Sequence, residues 1–429
     1  MATPHVPDVM GRWPAGSLRI CFLTHYFPPE RGAPQVRIAA LAEALLTRGH
    51  RPVVHTGFPN YPAGAVLAPY RNRLVAEDRL APGLPVVRSL VYPARNAGFA
   101  RRIVNHAVFA ASAVATQRRT GPVDVVVAET PPLFTAAAAV AYAARKRAPL
   151  VLNVADRWPA SAVALGALTD PRAVAAAAAV ESWCYRHAAA VVAPSRRLAR
   201  ALEDHPDTRR VVHVPPAVDV DRFAAPAPRR PDGGPLHVVY AGTIGMAQAV
   251  DTLVEAAVRA GPGVVRVTIA GDGADAPAIR RAVSARGATN VTLLGPVPPE
   301  EVPALYAGAD AGVVLLHDAP LFEEALPSKT FEVMAAGRPV LLGARGEAAE
   351  LVQEAGAGLV GPPRDARALA AAMVRLHCDR SLARSLGAAG RRHVERRHAR
   401  AAAADAWERL LTEVTSAPAT ARARDPRRR

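Results

Sequence analysis

Short apolar runs alternate with longer stretches of helical spacing along most of the chain. Residues 18–24 read as a strand, and the loop that follows carries Gly32 and feeds a helix with apolar spacing over 36–46. Arg48-Gly49-His50 closes that helix and residues 52–56 resume a strand, a β–α–β start with a glycine-bearing loop. Further strands are predicted at 123–128, 150–154, 190–194 and 211–214. Residues 224–235 are rich in proline and glycine and read as a linker. The pattern then restarts with a strand at 236–240, a turn Gly242-Thr243-Ile244-Gly245 and a helix at 249–258. Strands follow at 265–269, 291–294, 311–316 and 339–342, and helical spacing fills the chain after Asp365. The last helix, 401–414, carries Trp407, Leu410 and Leu411, which need a surface to bury against; the first half is the expected one.

This alternation predicts an α/β chain with two Rossmann-like, doubly wound parallel-sheet domains facing a cleft. The expected divisions are a disordered end at 1–16, a first domain at 17–223, the linker at 224–235, a second domain at 236–397, a returning helix at 398–416 and a basic disordered tail at 417–429. Sheets of this kind take ligands beyond the carboxyl ends of their strands.

Composition narrows the class. Half of the 429 residues are hydrophobic, enough for two cores. Cys21, Cys184 and Cys378 stand apart, so neither a disulfide framework nor a metal site is expected, and a reducing cytoplasm fits. No apolar run has spanning length, so the protein is expected to be soluble or at most peripheral at a membrane. The formal net charge is +16, part of it in the tail at Arg422, Arg424, Arg427, Arg428 and Arg429. No motif supports nucleic acid as the reason. The segment 95–119 mixes Phe99, Ile103, Val104, Val108 and Phe109 with Arg95, Arg101, Arg102, Arg118 and Arg119. That pattern suits an anionic membrane surface, and equally a helix packed on the first domain.

The chemistry concentrates in Glu324-Ala325-Leu326-Pro327-Ser328-Lys329-Thr330-Phe331-Glu332. Pro327 and Ser328 read as a helix entry with Ser328 as the N-cap, so the first turn carries Lys329 and Glu332. A helix N-terminus beside a lysine suits a diphosphate, and carboxylates accept hydrogen bonds from sugar hydroxyls. These parts describe a nucleotide-sugar site. Glutamates at this spacing also arise by chance, and helix starts carry Glu for dipole reasons alone. Lys146 and Lys329 are the only lysines in a chain whose other basic residues are arginines, so a compact charge at 329 is informative. His25 and His55 follow strand ends, where a histidine either lines a cleft or is simply hydrogen-bonded. Gly271-Asp272-Gly273 reads as a strand-to-helix turn, and Asp156 as either a cap before Trp158-Pro159 or a polar group near a reacting centre.

Several stretches together resemble family 4 of the retaining GT-B glycosyltransferases, over residues 18–414. They are the loop Tyr26–Gly32, Arg48-Gly49-His50, Val192-Ala193-Pro194-Ser195, Val218-Asp219 with Phe223, Gly271–Gly273, Leu294-Gly295, and Glu324–Glu332 running into Met334–Pro339. Asp156-Arg157-Trp158-Pro159 and Pro327-Ser328-Lys329 resemble a bacterial subgroup acting on lipid-linked sugars, often as N-acetylated aminosugar transferases. The resemblance implies transfer of a hexosyl or N-acetylhexosaminyl group with retained configuration, without metal or cofactor. The co-substrate would be a UDP- or GDP-linked sugar, and the acceptor a glycan or polyprenyl-diphosphate-linked molecule at the cytoplasmic face of the membrane. The first domain would serve the acceptor and the second the donor.

Glu324, Lys329 and Asp156 are the implied catalytic residues. Glu332 would hold the ribose and Glu324 the hydroxyls of the donor sugar. Lys329 and the turn Gly242, Thr243 and Gly245 would hold the diphosphate, with Gly32, Ser328 and Arg157 completing the donor contacts. Three positions depart from the family. Met246 and Gln248 stand where an Arg/Lys pair is usual, Ala155 where a histidine is usual, and Pro216-Ala217 where Asn-Gly is usual. Lys329 or Arg157 would then supply the cation. The alternatives are a non-hydrolysing sugar-nucleotide 2-epimerase, for which no acid/base set is evident, and a catalytically weak basic binding protein, which the missing pair favours.

Overall fold

A computed structural model describes residues 13–30, 32–61, 64–81, 83–93, 99–224 and 233–417. Most of the expected disordered ends, most of the linker and Arg95 lie outside the described residues. The chain divides into two units, Met1–Val214 with Ala404–Arg429, and Pro215–Ala403.

The first unit is built on eight strands: β1 Arg19–Leu23, β2 Arg51–Gly57, β3 Val75–Ala81, β4 Leu84–Ser89, β5 Val125–Thr130, β6 Leu150–Val154, β7 Ala190–Ala193 and β8 Val211–His213. Their order is β3-β4-β2-β1-β5-β6-β7-β8. All neighbours are parallel except β3 and β4, an antiparallel pair at the edge. The central strands are apolar runs buried on both faces, β5 and β6 along their whole length, as a sheet covered by helices requires. Helix Leu133–Lys146 packs there through Ala136, Ala139, Val140 and Ala143. The edge pair is absent from the sequence reading for a physical reason. β3, Val-Ala-Glu-Asp-Arg-Leu-Ala, is half exposed and lacks an apolar run.

The last helix, Arg400–Ser416, enters this unit at Ala404 and buries Trp407, Leu410 and Leu411. Arg48 pairs with Asp405 at 2.6 Å and with Glu408 at 3.4 Å, and Arg210 pairs with Glu413.

The second unit holds six parallel strands: β9 Leu236–Ala241, β10 Val265–Ala270, β11 Val291–Gly295, β12 Ala311–Leu315, β13 Val340–Gly343 and β14 Gly358–Gly361, in the order β11-β10-β9-β12-β13-β14. Only β14, a four-residue strand bounded by glycines, escapes the sequence pattern. The unit begins at Pro215 and not at the proline-rich segment, because residues 215–223 pack on it. Val218 bridges to Ala399, Arg222 donates to the Pro299 carbonyl, and the Phe223 ring lies 6.4 Å from Tyr306. The same bridge carries the unit past 397 to Ala403.

Connections leave in opposite directions from the neighbouring strands β1 and β5 in the first sheet and β9 and β12 in the second. Sheets of this kind take ligands where loops diverge at such a place, beyond the carboxyl ends. The turn after β9 is Gly242–Gly245, and β12 leads to Glu324 and helix Ser328–Ala335. Gly312 on β12 places that helix, because a side chain there would overlap Val333. Gly387 on helix Arg380–Arg397 allows equally close contact with the Gly337 carbonyl, and Arg391 donates to the Ala335 carbonyl at the helix's negative end.

Candidate active site

In the second unit the turn after β9 rests on a second turn. Gly242, with φ +138°, donates to Ala270 O at 2.9 Å, and Ile244 donates to Asp272 O at 2.9 Å. Gly271 and Gly273, at φ +152° and +157°, stand so close to the Gly242 and Ile244 carbonyls that a Cβ on either would overlap them. Gly271-Asp272-Gly273 is therefore the support of the 242–245 turn. His317, in the loop after β12, donates its N–H to Ala247 O at 2.8 Å and ties that loop to the same turn.

Helix Ser328–Ala335 starts beside it. Its N-cap is Pro327, at φ −63° and ψ 130°, and no side chain caps that end. Ser328 is the first helical residue and not the cap, because the extended conformation that ends the preceding loop falls on the proline. The Thr330 N–H donates to the Pro327 carbonyl at 3.0 Å, and with no side-chain cap the N–H groups ahead of it are the ones a ligand can use.

Lys329 is partly buried under the glycine turn. Its ammonium donates to the Tyr240 hydroxyl at 2.7 Å and lies 4.0 Å from the centre of that ring. A Cβ at Gly242 would lie 3.3 Å from Nζ. Burial lowers the Lys329 pKa to about 8, against the pull of Glu332. Burial raises that of Glu332, opposed by Lys329 and Arg222. Each charge thus supports the other across one helical turn.

Met246 and Gln248 do not replace the usual pair of cations. Met246 is 48% exposed, and the Gln248 carbonyl oxygen accepts from the Gly245 N–H at 3.2 Å. Thr243 is exposed on the turn, and its carbonyl accepts from the Tyr240 hydroxyl. Glu324 ends the short turn Pro320–Glu324, fixed by buried Phe322 and by Gly346, whose missing side chain admits Glu323.

Gly32, Asp156 and Arg157 belong to the first unit. Gly32 is extended at φ 165° and precedes helix Ala33–Thr47 without a side-chain cap. Asp156 and Arg157 follow β6, and helix Ala160–Ala164 has Pro159 as an N-cap with no side-chain bond, so Asp156 is not its cap. Beside them is Glu181, which sequence reasoning missed on an alanine-rich helix. Burial pushes its carboxyl up to about 7, Asp156 adds to the rise, and Tyr185 and Arg157 oppose it. Also missed were Arg37 and Glu129, a half-exposed guanidinium paired with a buried carboxylate at the end of β5, where Asn153 donates to Glu129 at 3.3 Å.

Glu30 ties the loops after β1 and β2 by accepting the N–H groups of Phe27 at 3.2 Å and of Asn60 and Tyr61 at 2.8 Å. Burial still raises its carboxyl to about 7. His55 is fully buried, hydrogen-bonded to Tyr142 at 3.1 Å and Ser89 at 2.7 Å. His25 is equally buried, its ring edge-on to those of Tyr26, His106 and Phe109. Helix Phe99–Thr116 packs into the first core through Phe109 and Ala113, leaving Arg101, Arg102 and Val104 outside. Among the described residues no helix is long and apolar enough to cross a membrane, and no cluster of His, Cys, Asp or Glu could hold a metal ion.

A family model described as glycosyl transferase 4-like domain matches residues 32–217, and one described as glycosyl transferases group 1 matches 235–379. Solved structures share the fold. Sucrose-phosphate synthase from Thermosynechococcus elongatus superposes with a TM-score of 0.75 at 20% identity, over 94% of this chain and 100% of its own. Anabaena HepE, solved with UDP and glucose, gives 0.68 at 17% identity, over 92% of this chain and 100% of its own. The protein is of the GT-B class, two parallel-sheet α/β domains. It belongs to the glycosyltransferases, with a 4-like first half and a group 1 second half.

Among curated proteins, the D-inositol 3-phosphate glycosyltransferase of Geodermatophilus obscurus is 31% identical over 60% of this chain and 57% of its own length. The GDP-mannose-dependent alpha-(1-6)-phosphatidylinositol monomannoside mannosyltransferase of Mycobacterium tuberculosis is 33% identical over 42% of this chain and 50% of its own. The chain thus spans about half the length of these relatives.

Proposed function

We propose that the protein transfers a hexosyl or N-acetylhexosaminyl group from a UDP- or GDP-linked sugar to a glycan or lipid-linked acceptor, with retained configuration. The observation that carries this reading is the Lys329 ammonium beneath the Gly242 turn, where connections leave the second sheet in opposite directions and an uncapped helix begins. A nucleoside diphosphate needs that combination of a compact cation, free backbone N–H groups and a glycine that lets phosphate approach. The relatives' names add support, since one acts on an inositol phosphate and the other uses GDP-mannose.

In the reaction the anomeric C–O bond to the diphosphate breaks and the acceptor oxygen bonds to the same face of that carbon. The acceptor's proton goes to the leaving phosphate. Lys329 and the helix start would stabilise the charge that grows on the diphosphate, the largest demand of the step. Glu332 would hold the ribose hydroxyls and Glu324 those of the transferred sugar. Asp156, with Glu181 and Arg157 around it, would serve the acceptor side. The basic outer face of helix Phe99–Thr116 would rest on an anionic membrane surface that presents a lipid-linked acceptor.

Incubation with UDP- and GDP-sugars and a polyprenyl-diphosphate-linked acceptor tests the proposal. Transfer to the acceptor supports it. Isomerisation of the donor alone would mean a 2-epimerase, and no turnover would mean a binding protein.

A further inference from the structure

Among the described residues the Lys329 ammonium hydrogen-bonds to a side chain that the family resemblance does not assign. Tyr240, the penultimate residue of β9, is buried, and its ring lies under the ammonium. Its hydroxyl takes part in two hydrogen bonds, with Thr243 O at 2.5 Å and with Lys329 Nζ at 2.7 Å. A phenol has one proton and the Thr243 carbonyl can only accept, so that proton is committed to the turn. The hydroxyl must therefore accept from Lys329. Burial holds the phenol protonated far above the usual tyrosine range, so the direction of the chain does not invert at any ordinary pH.

We infer that Tyr240 is a positioning residue, fixing through one hydroxyl both the place and the charge of the Lys329 ammonium and the turn above it. The step from Lys329 to Tyr240 to Thr243 joins the helix that follows Glu324 to the turn that follows β9. A cation resting on a ring face and donating to an oxygen is favoured in its charged form. Glu332, on the same helix, favours that form too, while fully buried Tyr306 lies near Glu332 and Tyr240. The role in transfer rests on the diphosphate reading of the site; the control of Lys329 by Tyr240 does not.

The chain offers an unusually direct test, because it contains two lysines. Protein carrying ¹³C-lysine gives two side-chain Cε signals, assigned with Lys146→Arg and Lys329→Arg, and each can be titrated without ligand. Tyr240→Phe keeps the ring and removes the oxygen. The expected result is a Lys329 midpoint clearly below the wild-type value, an unmoved Lys146 midpoint, and a kcat/KM for the donor lower by about tenfold or more. A Lys329 midpoint unchanged in Tyr240→Phe would overturn the inference. The Lys146 signal and the thermal midpoint report whether the variant folds. If it does not, the wild-type spectrum decides alone: a Lys329 Cε–H signal without the upfield ring-current shift of a group beside the Tyr240 ring face would overturn the inference. Absence of transfer by the wild type would remove the diphosphate reading and leave the titration result standing.

Discussion

Gly271 sits directly against Gly242: the missing side chain of the first leaves room for the carbonyl of the second. Both backbones are in the left-handed half of conformational space, at φ +152° and +138°. The turn assigned to the diphosphate is therefore shaped from below by a glycine on the neighbouring strand end. Gly271→Ala must move the Gly242 carbonyl or the strand, and is expected to destabilise the second unit by about 1–3 kcal/mol. Urea unfolding of the variant checks this; an unchanged midpoint would mean that the two turns are not in contact.

Gly242→Ala acts differently. Its Cβ would press on the Lys329 ammonium at 3.3 Å rather than on backbone. The backbone at φ +138° adds strain that any side chain meets, so weaker donor binding is expected together with some loss of stability. A thermal-shift titration with UDP and GDP reads it, since binding stabilises the native state by mass action.

The Lys329 pKa of about 8 sets a pH window. The ammonium is lost in the free protein as pH rises through about 8, so kcat/KM is expected to fall over that limb. Bound diphosphate favours the charged form, which shifts the same limb in kcat to higher pH. Stability moves the other way. A lysine lowered in the folded state binds fewer protons there than in the unfolded chain, so its destabilising effect is full below about 8 and relieved as pH rises toward 10.5. A kcat/KM profile flat across this range would contradict the assignment of Lys329.

Much of this was legible in the sequence because it follows from local pattern. The central strands are unbroken apolar runs, and Gly242, Pro327 and Lys329 mark a turn, a helix entry and a lone compact cation. What escaped depends on pairing across distance. β3 is half exposed and carries no apolar run. Glu181 meets Asp156 and Arg157, and Arg37 meets Glu129, only when helices and strand ends line up. Ser328 lost its role as N-cap because Pro327 already supplied the extended residue. Tyr240 looked like one more apolar strand residue, and only its two hydrogen bonds mark it out.

Glu30 bridges two loops with both carboxylate oxygens, one to Phe27 and the other to Asn60 and Tyr61. Glu30→Gln replaces one acceptor with a donor facing an N–H group. A loss of about 1–3 kcal/mol is expected by urea unfolding. Because burial raises the Glu30 carboxyl from 4.5 to about 7, the native state binds more protons than the unfolded chain between those values. Its contribution to stability is thus full below 4.5 and lost as pH rises through about 7. The variant is expected to lack that dependence, and a wild-type pH slope retained in Glu30→Gln would refute the role.

The exposed Arg101 and Arg102 face outward from a helix whose Phe109 is locked in the core. Neutralising both is expected to weaken sedimentation with vesicles containing anionic lipid, by about 1 kcal/mol per arginine at the surface, with the fold intact. Partitioning unchanged by the double substitution would remove the membrane surface from the account.

The central claim is that the stretch from Glu324 to Glu332, with the turn at Gly242, binds and activates a sugar donor. The most direct measurement is steady-state transfer from a nucleotide sugar by wild type, Lys329→Ala and Glu324→Ala, alongside thermal-shift binding of the matching nucleotide. The account predicts that both variants fold and that transfer is lost in each. Nucleotide stabilisation should be weakened by Lys329→Ala and nearly retained by Glu324→Ala, since Glu324 is proposed to touch the sugar alone. Wild-type transfer rates in either variant would contradict it.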